Sequence, residues 1–503
     1  MAGLATIKIP LRKDEVSLDT IRPYLDDVFG LFQRNQQKII SDYDMYMLTQ
    51  KILNKTRTHS DEINNNKVLN PNVYSMVNWK SGYIFGNPMK YAETGNASSE
   101  KMRGLNLYLR DSNKASVDRS VSNWIYATGV GYYFVQPKKV GTYDDKSAPF
   151  SLTAINSYCC CKVKSAYIGE EPLFDLIHTK ITRANNVSYD IVDLYLPDWF
   201  YEFEISSGAS FATAIPSRAE KRLIYKELPL VEKKANPNAI SIPDVVRSLS
   251  DAVDTLMSDQ LDNIQDITNV IYKYKNVAMG STDAELSANH KTVKRNGAIV
   301  LNTANEQVHE SDLDILKIPP LDYAEINDIV AQLTRTAYYS VGCPMPNSEI
   351  TSGNITRGGG EITSGHDNAY NIALAETTNF MPADYDLLRK ILVICNNSPK
   401  SLVKNLSASD IEIKYSFNLA DNILSKVEAY SLLVQTVPPA LALRLTRISN
   451  DPEADGATIE EYMEKQYQQK LELQTAKTTE NIDVTEESGK ADRDNKFVKR
   501  DDT

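Results

Sequence analysis

The longest regular pattern in the chain runs from Pro243 to Lys275. Apolar residues recur at Val245, Val246, Leu249, Val253, Leu256, Met257, Leu261, Ile264, Ile267, Val270 and Ile271, the three-to-four spacing of one helical face. Asp244, Asp251, Asp259, Asp262 and Asp266 gather on the opposite side, with Asp254 at its edge, and Arg247 is the only cation before Lys273. With Pro243 in its first turn, the pattern predicts one unbroken amphipathic helix about 50 Å long, with an oily face for partner helices and a solvated acidic face.

The flanking patterns are shorter. Residues 15–65 read as helical, with apolar spacing at Ile21, Leu25, Val28, Phe29 and Phe32; Asn64-Asn65-Asn66 and Asn70-Pro71-Asn72 read as punctuation. From Val73 the expectation is a short helix ending near Gly82, a brief strand and a Gly86-Asn87-Pro88 turn. One helix is expected over 98–127, stopped by Gly129, then an aromatic strand from Val130 to Gln136. Short apolar runs at 158–163, 173–181, 189–196, 199–205 and 222–226 read as an antiparallel meander, so 15–235 form one α+β unit.

Beyond Lys275, strands are expected at 277–282, 291–303 and 312–318, closed by Pro319-Pro320. A second amphipathic helix then carries Leu321, Ala324, Ile326, Ile329, Val330, Leu333 and Ala337 on one face, which places the small β module at the tip of a helical hairpin. Residues 342–366 hold six of the chain's 21 glycines among Ser, Thr and Asn and read as a long loop, the kind that carries function. A helix over 367–396 has Pro382 inside it and is expected to bend there. A strand at 411–417 and helices over 419–474 follow, broken at Pro438-Pro439 and Asp451-Pro452, and the polar end from about 476 reads as disordered.

Composition narrows the class. The 503 residues are 42% apolar and 24% charged, enough core for two to four structural units. The longest apolar-rich stretches, such as Leu387 to Cys395, are too short to cross a bilayer, and residues 1–13 lack a signal core, so the chain is expected to stay in the compartment where it is made. Cys159, Cys160 and Cys161 are contiguous and on a strand would point to alternating faces, so they cannot converge on one metal. A net charge of −11 argues against a protein that wraps or clamps DNA, because such binding rests on Lys and Arg.

The search for catalytic chemistry is negative. No Walker loop and no His-Glu-x-x-His occurs, and His59, His178, His290, His309 and His366 match no ligand spacing. His366-Asp367 reads as a helix start rather than a catalytic pair. Gly358-Gly359-Gly360 lacks a preceding strand and an adjacent Lys, so it reads as flexibility rather than a phosphate cradle. No metal and no cofactor is expected.

Three segments together resemble the portal proteins of tailed bacteriophages, the siphophage type. Val73 to Pro88, ending Lys80-Ser81-Gly82-Tyr83-Ile84-Phe85-Gly86-Asn87-Pro88, is similar to that family's N-terminal helix and turn. Leu249 to Asp259 is similar to the start of its stem helix, and Ile350 to Gly365 occupies the place of its tunnel loop. The similarity spans roughly residues 20 to 475, and Pro438-Pro439 departs from it by interrupting a helix-turn-helix.

The resemblance implies a ring of identical subunits, a dodecamer, at one vertex of the virion capsid, assembled in the host cytoplasm. It surrounds a channel for packaging and ejection of double-stranded DNA and carries the head-tail connector. The implied parts are an N-terminal arm (1–14), an α+β wing (15–242), a first stem helix (243–275), a clip (276–319), a second stem helix (320–341), a tunnel loop (342–366), a kinked helix between wing and crown (367–409), a crown (410–475) and a tail (476–503). Implied partners are further copies of the chain, DNA without sequence preference, terminase, a head-completion or adaptor protein, and the major capsid and scaffold proteins, with no membrane.

Asp251, Asp254, Asp259, Asp262 and Asp266 are then expected to line the channel, where a negative wall repels phosphate and lets DNA slide. Ile350, Thr351, Gly353, Asn354, Arg357, Gly358, Gly359 and Gly360 belong to the tunnel loop, and Lys273, Lys275 and Arg357 are the expected weak DNA contacts. Two other classes compete: a nucleic-acid-processing enzyme on the α+β region, which requires converging carboxylates or histidines, and a ring-forming scaffold without DNA in its channel.

Overall fold

The computed structural model describes residues 3–468 except 57–64, 95–98, 145, 183–187, 207–209, 212, 223–224, 269–270, 276–281, 283, 286, 289–311, 317–322, 346–357, 418–422, 447, 449–454 and 467. The chain divides into two units, Met1–Asn418 and Leu419–Thr503.

The first unit mixes helix and strand. Strands β1 (Lys8–Ile9), β5 (Cys160–Ser165), β6 (Pro172–Thr182), β7 (Ser188–Tyr195), β8 (Trp199–Ser206) and β9 (Arg218–Lys221) form a six-stranded sheet in the order β1-β5-β6-β7-β8-β9. From β5 to β8 it is the expected antiparallel meander, and its last strand falls at Arg218–Lys221 rather than over 222–226; β1 adds at the edge in parallel, with Lys8 opposite Lys164. After the short helix α1 (Leu18–Ile21), helix α2 (Leu25–Tyr46) lays its apolar stripe on this sheet. Ile21, Leu25, Val28 and Phe32 bury against Cys161, Val163, Leu176, Val192, Leu194 and Phe203. Cys160 joins a different core with Ile39, Trp124, Val130, Tyr132 and Leu230. Adjacent cysteines thus serve two faces of one strand, as the period of two requires.

The expected helix over 98–127 is two helices, α4 (Ser99–Asp111) and α5 (Lys114–Thr128), separated at Asn113, whose φ is +52°. Gly129 ends α5 with φ +88°, and a Cβ there would lie 2.2 Å from the Ala239 carbonyl oxygen, so only glycine fits. Strand β3 (Gly131–Pro137) lies between β10 (Leu230–Lys233) and β4 (Phe150–Ile155). Helix α3 (Asn72–Phe85) runs on through Gly82, where it was expected to end, and takes up the expected strand; it packs on α5 with Ser81 and Ser122 hydroxyls in contact. Aromatic and aliphatic burial by Tyr83, Ile84 and Phe85 outweighs the cost of one helical glycine.

The acidic helix α6 spans Ile242–Thr268, shorter than expected. Ile271–Lys275 instead forms β11, paired antiparallel with β12 (Asp312–Leu316). Ile271 prolongs the helical spacing on paper, but Ile-Tyr-Lys-Tyr-Lys also alternates with period two, and strand pairing decides between the patterns. Helix α7 (Tyr323–Ser340) returns along α6 and completes the hairpin.

Helix α8 spans Gly358–Asn397 and so takes in Gly358, Gly359 and Gly360, which the loop reading had outside any helix. Pro382 lies within it, next to a buried ionic knot that ties the helix to the sheets. Lys233 pairs with Asp384 at 2.6 Å, and both are buried. The Tyr415 hydroxyl bonds the other Asp384 oxygen and receives a bond from Lys233 at 3.0 Å. The rings of Phe85 and Phe380 lie 4.8 and 4.9 Å from the Lys233 ammonium. Burial pushes the Lys233 pKa down against the pull of Asp384. Strand β13 (Ile411–Lys414), expected to open the crown, pairs with β2 (Lys90–Glu93) in this unit.

The second unit contains α9 (Ile423–Leu433), α10 (Pro439–Thr446) and a helix over 455–466. Pro439 occupies the first turn of α10, where its missing N–H costs nothing. A Cβ on Gly456 would lie 2.6 Å from the Ala440 backbone, so the last helix approaches α10 closely.

Candidate functional site

The polar row of α6 is built into the subunit. An extended segment, residues 66–70, runs antiparallel along it and donates alternate backbone N–H groups to every fourth residue of the helix. Asn66 N donates to Asp262 Oδ1 at 2.7 Å, Val68 N to Ser258 Oγ at 3.0 Å and Asn70 N to Asp254 Oδ1 at 2.7 Å. The match is geometric: two extended residues advance about 6.6 Å and four helical residues about 6.0 Å. The Asn66 side-chain amide adds bonds to Asp262 and to Gln265.

Asp259 and Asp244 are also engaged. Lys55 pairs with Asp259. Lys38 reaches Asp244 at 2.6 Å and Asp42 at 3.0 Å, and Arg247 reaches Asp42 at 2.5 Å. Burial, opposed by Lys38, raises the Asp42 pKa. The solvated acidic face is therefore corrected. Asp254 and Asp262 are 0% exposed, and one oxygen of each carboxylate accepts a backbone N–H of the strap, so in the subunit neither faces solvent. Asp251 is half-buried beside a groove, and the Asp266 side chain lies outside the described residues.

Some oily positions lie on the surface, although Val246 and Val253 of the same helix are buried. Val245, Leu261 and Ile264 of α6 and Ile329 and Tyr339 of α7 are exposed, Tyr339 at 67%. Sequence amphipathicity defined two faces of α6 but not which of them turns inward.

The glycine-rich stretch is anchored at both ends. Gly342, two residues past α7, has φ +70°, and a Cβ there would meet Ile372 Cδ1 at 2.3 Å. Cys343 is buried with its thiol toward the Met76 carbonyl, and burial pushes its pKa up to about 12. On the far side, Lys80 pairs with Glu376 of α8 at 2.5 Å, and the Tyr126 hydroxyl donates to the same carboxylate at 2.7 Å. Burial and Glu376 hold the Tyr126 hydroxyl well above its ordinary pKa. Ile350, Thr351, Gly353, Asn354 and Arg357 lie outside the described residues.

Lys273 and Lys275 stand on β11, at register positions opposite Asp314 and Asp312.

Among the described residues no group of three or more His, Cys, Asp or Glu could hold a metal ion, and no described helix is long and apolar enough to cross a membrane. His178 is a buried side chain with Asp190 at 2.9 Å and Gln36 at 3.3 Å, packed edge-on to Phe29 and Phe32.

Residues 29–476 match the family described as phage portal protein, SPP1 Gp6-like. The chain belongs to this family. The sequence resemblance is thus confirmed over nearly the whole chain. Among solved structures the chain is similar to a protein in the neck of a native GTA particle computed with C12 symmetry, at 10% identity and a TM-score of 0.38, covering 75% of this chain and 88% of that one. It is similar at the same identity and TM-score to a chain in the neck of an empty GTA particle computed with C6 symmetry, covering 75% and 89%. No curated protein matches the sequence.

Sequence reasoning about this portal-family chain missed the strap, the Lys80–Glu376 clamp and the Gly342 pivot. One signal was present: Asp254, Ser258 and Asp262 share a stripe at four-residue spacing, polar along its length and able to accept hydrogen bonds throughout. Nothing local pointed to 66–70 as its partner, roughly 190 residues away.

Proposed function

We infer that copies of this chain close into a ring, a dodecamer in the particle, at one capsid vertex, around a channel through which double-stranded DNA enters and leaves. The observation that carries this reading is the hairpin, whose oily positions are only partly covered. Its polar row is consumed inside the subunit, and Val245, Leu261, Ile264, Ile329 and Tyr339 stay outside. An oily stripe on a long hairpin is stable in water only when neighbouring hairpins cover it, and identical neighbours close into a ring when the rotation between them closes.

In this arrangement α6 and α7 are the stem, the ribbon β11–β12 belongs to the clip that meets the adaptor or head-completion protein, and residues 15–242 form the wing. Loose contact with DNA falls to the glycine-rich stretch around Ile350, Thr351, Gly353, Asn354 and Arg357, not to the buried aspartates of the stem. Terminase, capsid and scaffold proteins are the expected partners of the outer surfaces. The role is structural, with no reaction of its own.

Electron microscopy of the purified full chain, with sedimentation velocity, tests the reading. A closed ring with a central hole wide enough for a duplex is expected. Monomers or open filaments under all conditions overturn it.

A further inference from the structure

We propose that the seam between the acidic helix and the wing holds a divalent cation, bound by Gln50, Asp251 and Asp254. The site is independent of ring formation and of DNA.

Two buried oxygens at this seam have no hydrogen-bond partner. Gln50 is 4% exposed, and its amide nitrogen donates to the Asn70 carbonyl at 3.1 Å. That bond fixes the amide orientation, since the flipped form would set one carbonyl against another. Gln50 Oε1 is left buried and unpartnered. Asp254 is 0% exposed, and its Oδ1 accepts the N–H of the same Asn70. Its Oδ2 is likewise buried and unpartnered. Both leftover acceptors therefore belong to side chains held by one residue, and each would cost stability as it stands.

Asp251 lies one turn before Asp254 on the same helix, within reach of a shared ligand. Among the described residues it makes no ion pair. It lines, with Gln50, Asp44 and Thr49, a groove of about 360 Å³ that gives access from solvent. Of the cations on that groove, Arg247 is bound to Asp42 at 2.5 Å, and Lys51 lies at the wall.

The donor set is two carboxylates and an amide carbonyl, all hard oxygen, with room for water at the remaining positions. That chemistry takes calcium or magnesium rather than a softer metal. Burial first, and then Asp251, push the Asp254 carboxyl up to about 6. A dication beside it would reverse that direction. A bound ion would also fix α6 to the strap and to the segment that carries Gln50.

Isothermal titration of the full chain with CaCl2, and separately with MgCl2, tests the site against Asp251→Asn and Asp254→Asn. One ion per chain is expected, with a Kd of about 10⁻⁴–10⁻³ M, weakened at least tenfold in each variant. Asp254→Asn keeps the Asn70 bond and should fold, which thermal unfolding of the same sample checks. No saturable binding, or binding unchanged by Asp254→Asn, overturns the proposal; a loss confined to Asp251→Asn also overturns it, because it would mark a surface ion in the open groove.

Discussion

Asp262 accepts the backbone N–H of Asn66 at 2.7 Å across 196 residues of sequence, and this bond ends a three-rung ladder between α6 and residues 66–70. Removing its acceptor strands a half-buried donor. Asp262→Ala is expected to destabilise the subunit by about 1–3 kcal/mol, read from urea unfolding, and to speed hydrogen exchange at Asn66 and Val68. A variant with unchanged stability and exchange would show that the strap is held elsewhere.

Asp254 makes the ladder pH-dependent. Its folded pKa of about 6 lies above the ordinary 3.8, with burial the first cause. The stabilising contribution of the protonated form is complete below the ordinary pKa and is lost as pH rises through about 6. In chelator, the wild-type chain should gain stability between pH 7 and pH 5, by about 1 kcal/mol. Asp254→Asn should be the more stable chain at pH 8 and lose this component of the dependence. Thermal unfolding of both proteins over that range is the check.

The Lys233–Asp384 pair predicts a different pattern. Both groups are buried, so deleting one leaves an uncompensated partner. Lys233→Met alone should cost about 3–5 kcal/mol. The double variant Lys233→Met, Asp384→Leu should recover most of that loss. A double-mutant cycle in guanidinium measures it, and additive losses would contradict the finding.

Gly342 pivots the glycine-rich stretch. Gly342→Ala adds a strained φ of +70° and a clash with Ile372, an expected cost of about 1–2 kcal/mol from the backbone alone. Rings should still assemble, with DNA filling reduced when the variant is incorporated into particles. Adding Ile372→Ala removes the clash and should restore part of the filling.

The exposed stripe predicts an assembly defect without unfolding. Leu261→Asp with Ile264→Asp places charge where Leu261 and Ile264 are 42% and 41% exposed. The subunit should keep its melting temperature within a few degrees and sediment as a monomer. Rings formed by this variant would refute the stem packing.

By itself the sequence determined what depends on neighbours in the chain: the apolar stripe from Ile21 to Phe32, the opposed burial of Cys160 and Cys161, the meander from β5 to β8, and family membership. It also made α6 two-faced. Only the tertiary structure decided which face is covered, because a carboxylate is costly to bury or easily buried according to whether donors arrive from elsewhere. Here they arrive from Asn66 and Asn70, far away in sequence. The end of α6 at Thr268 was settled the same way, by a strand that Asp312–Leu316 completes. Spacing along a chain records periodicity, and a distant partner determines which of two compatible periods is used.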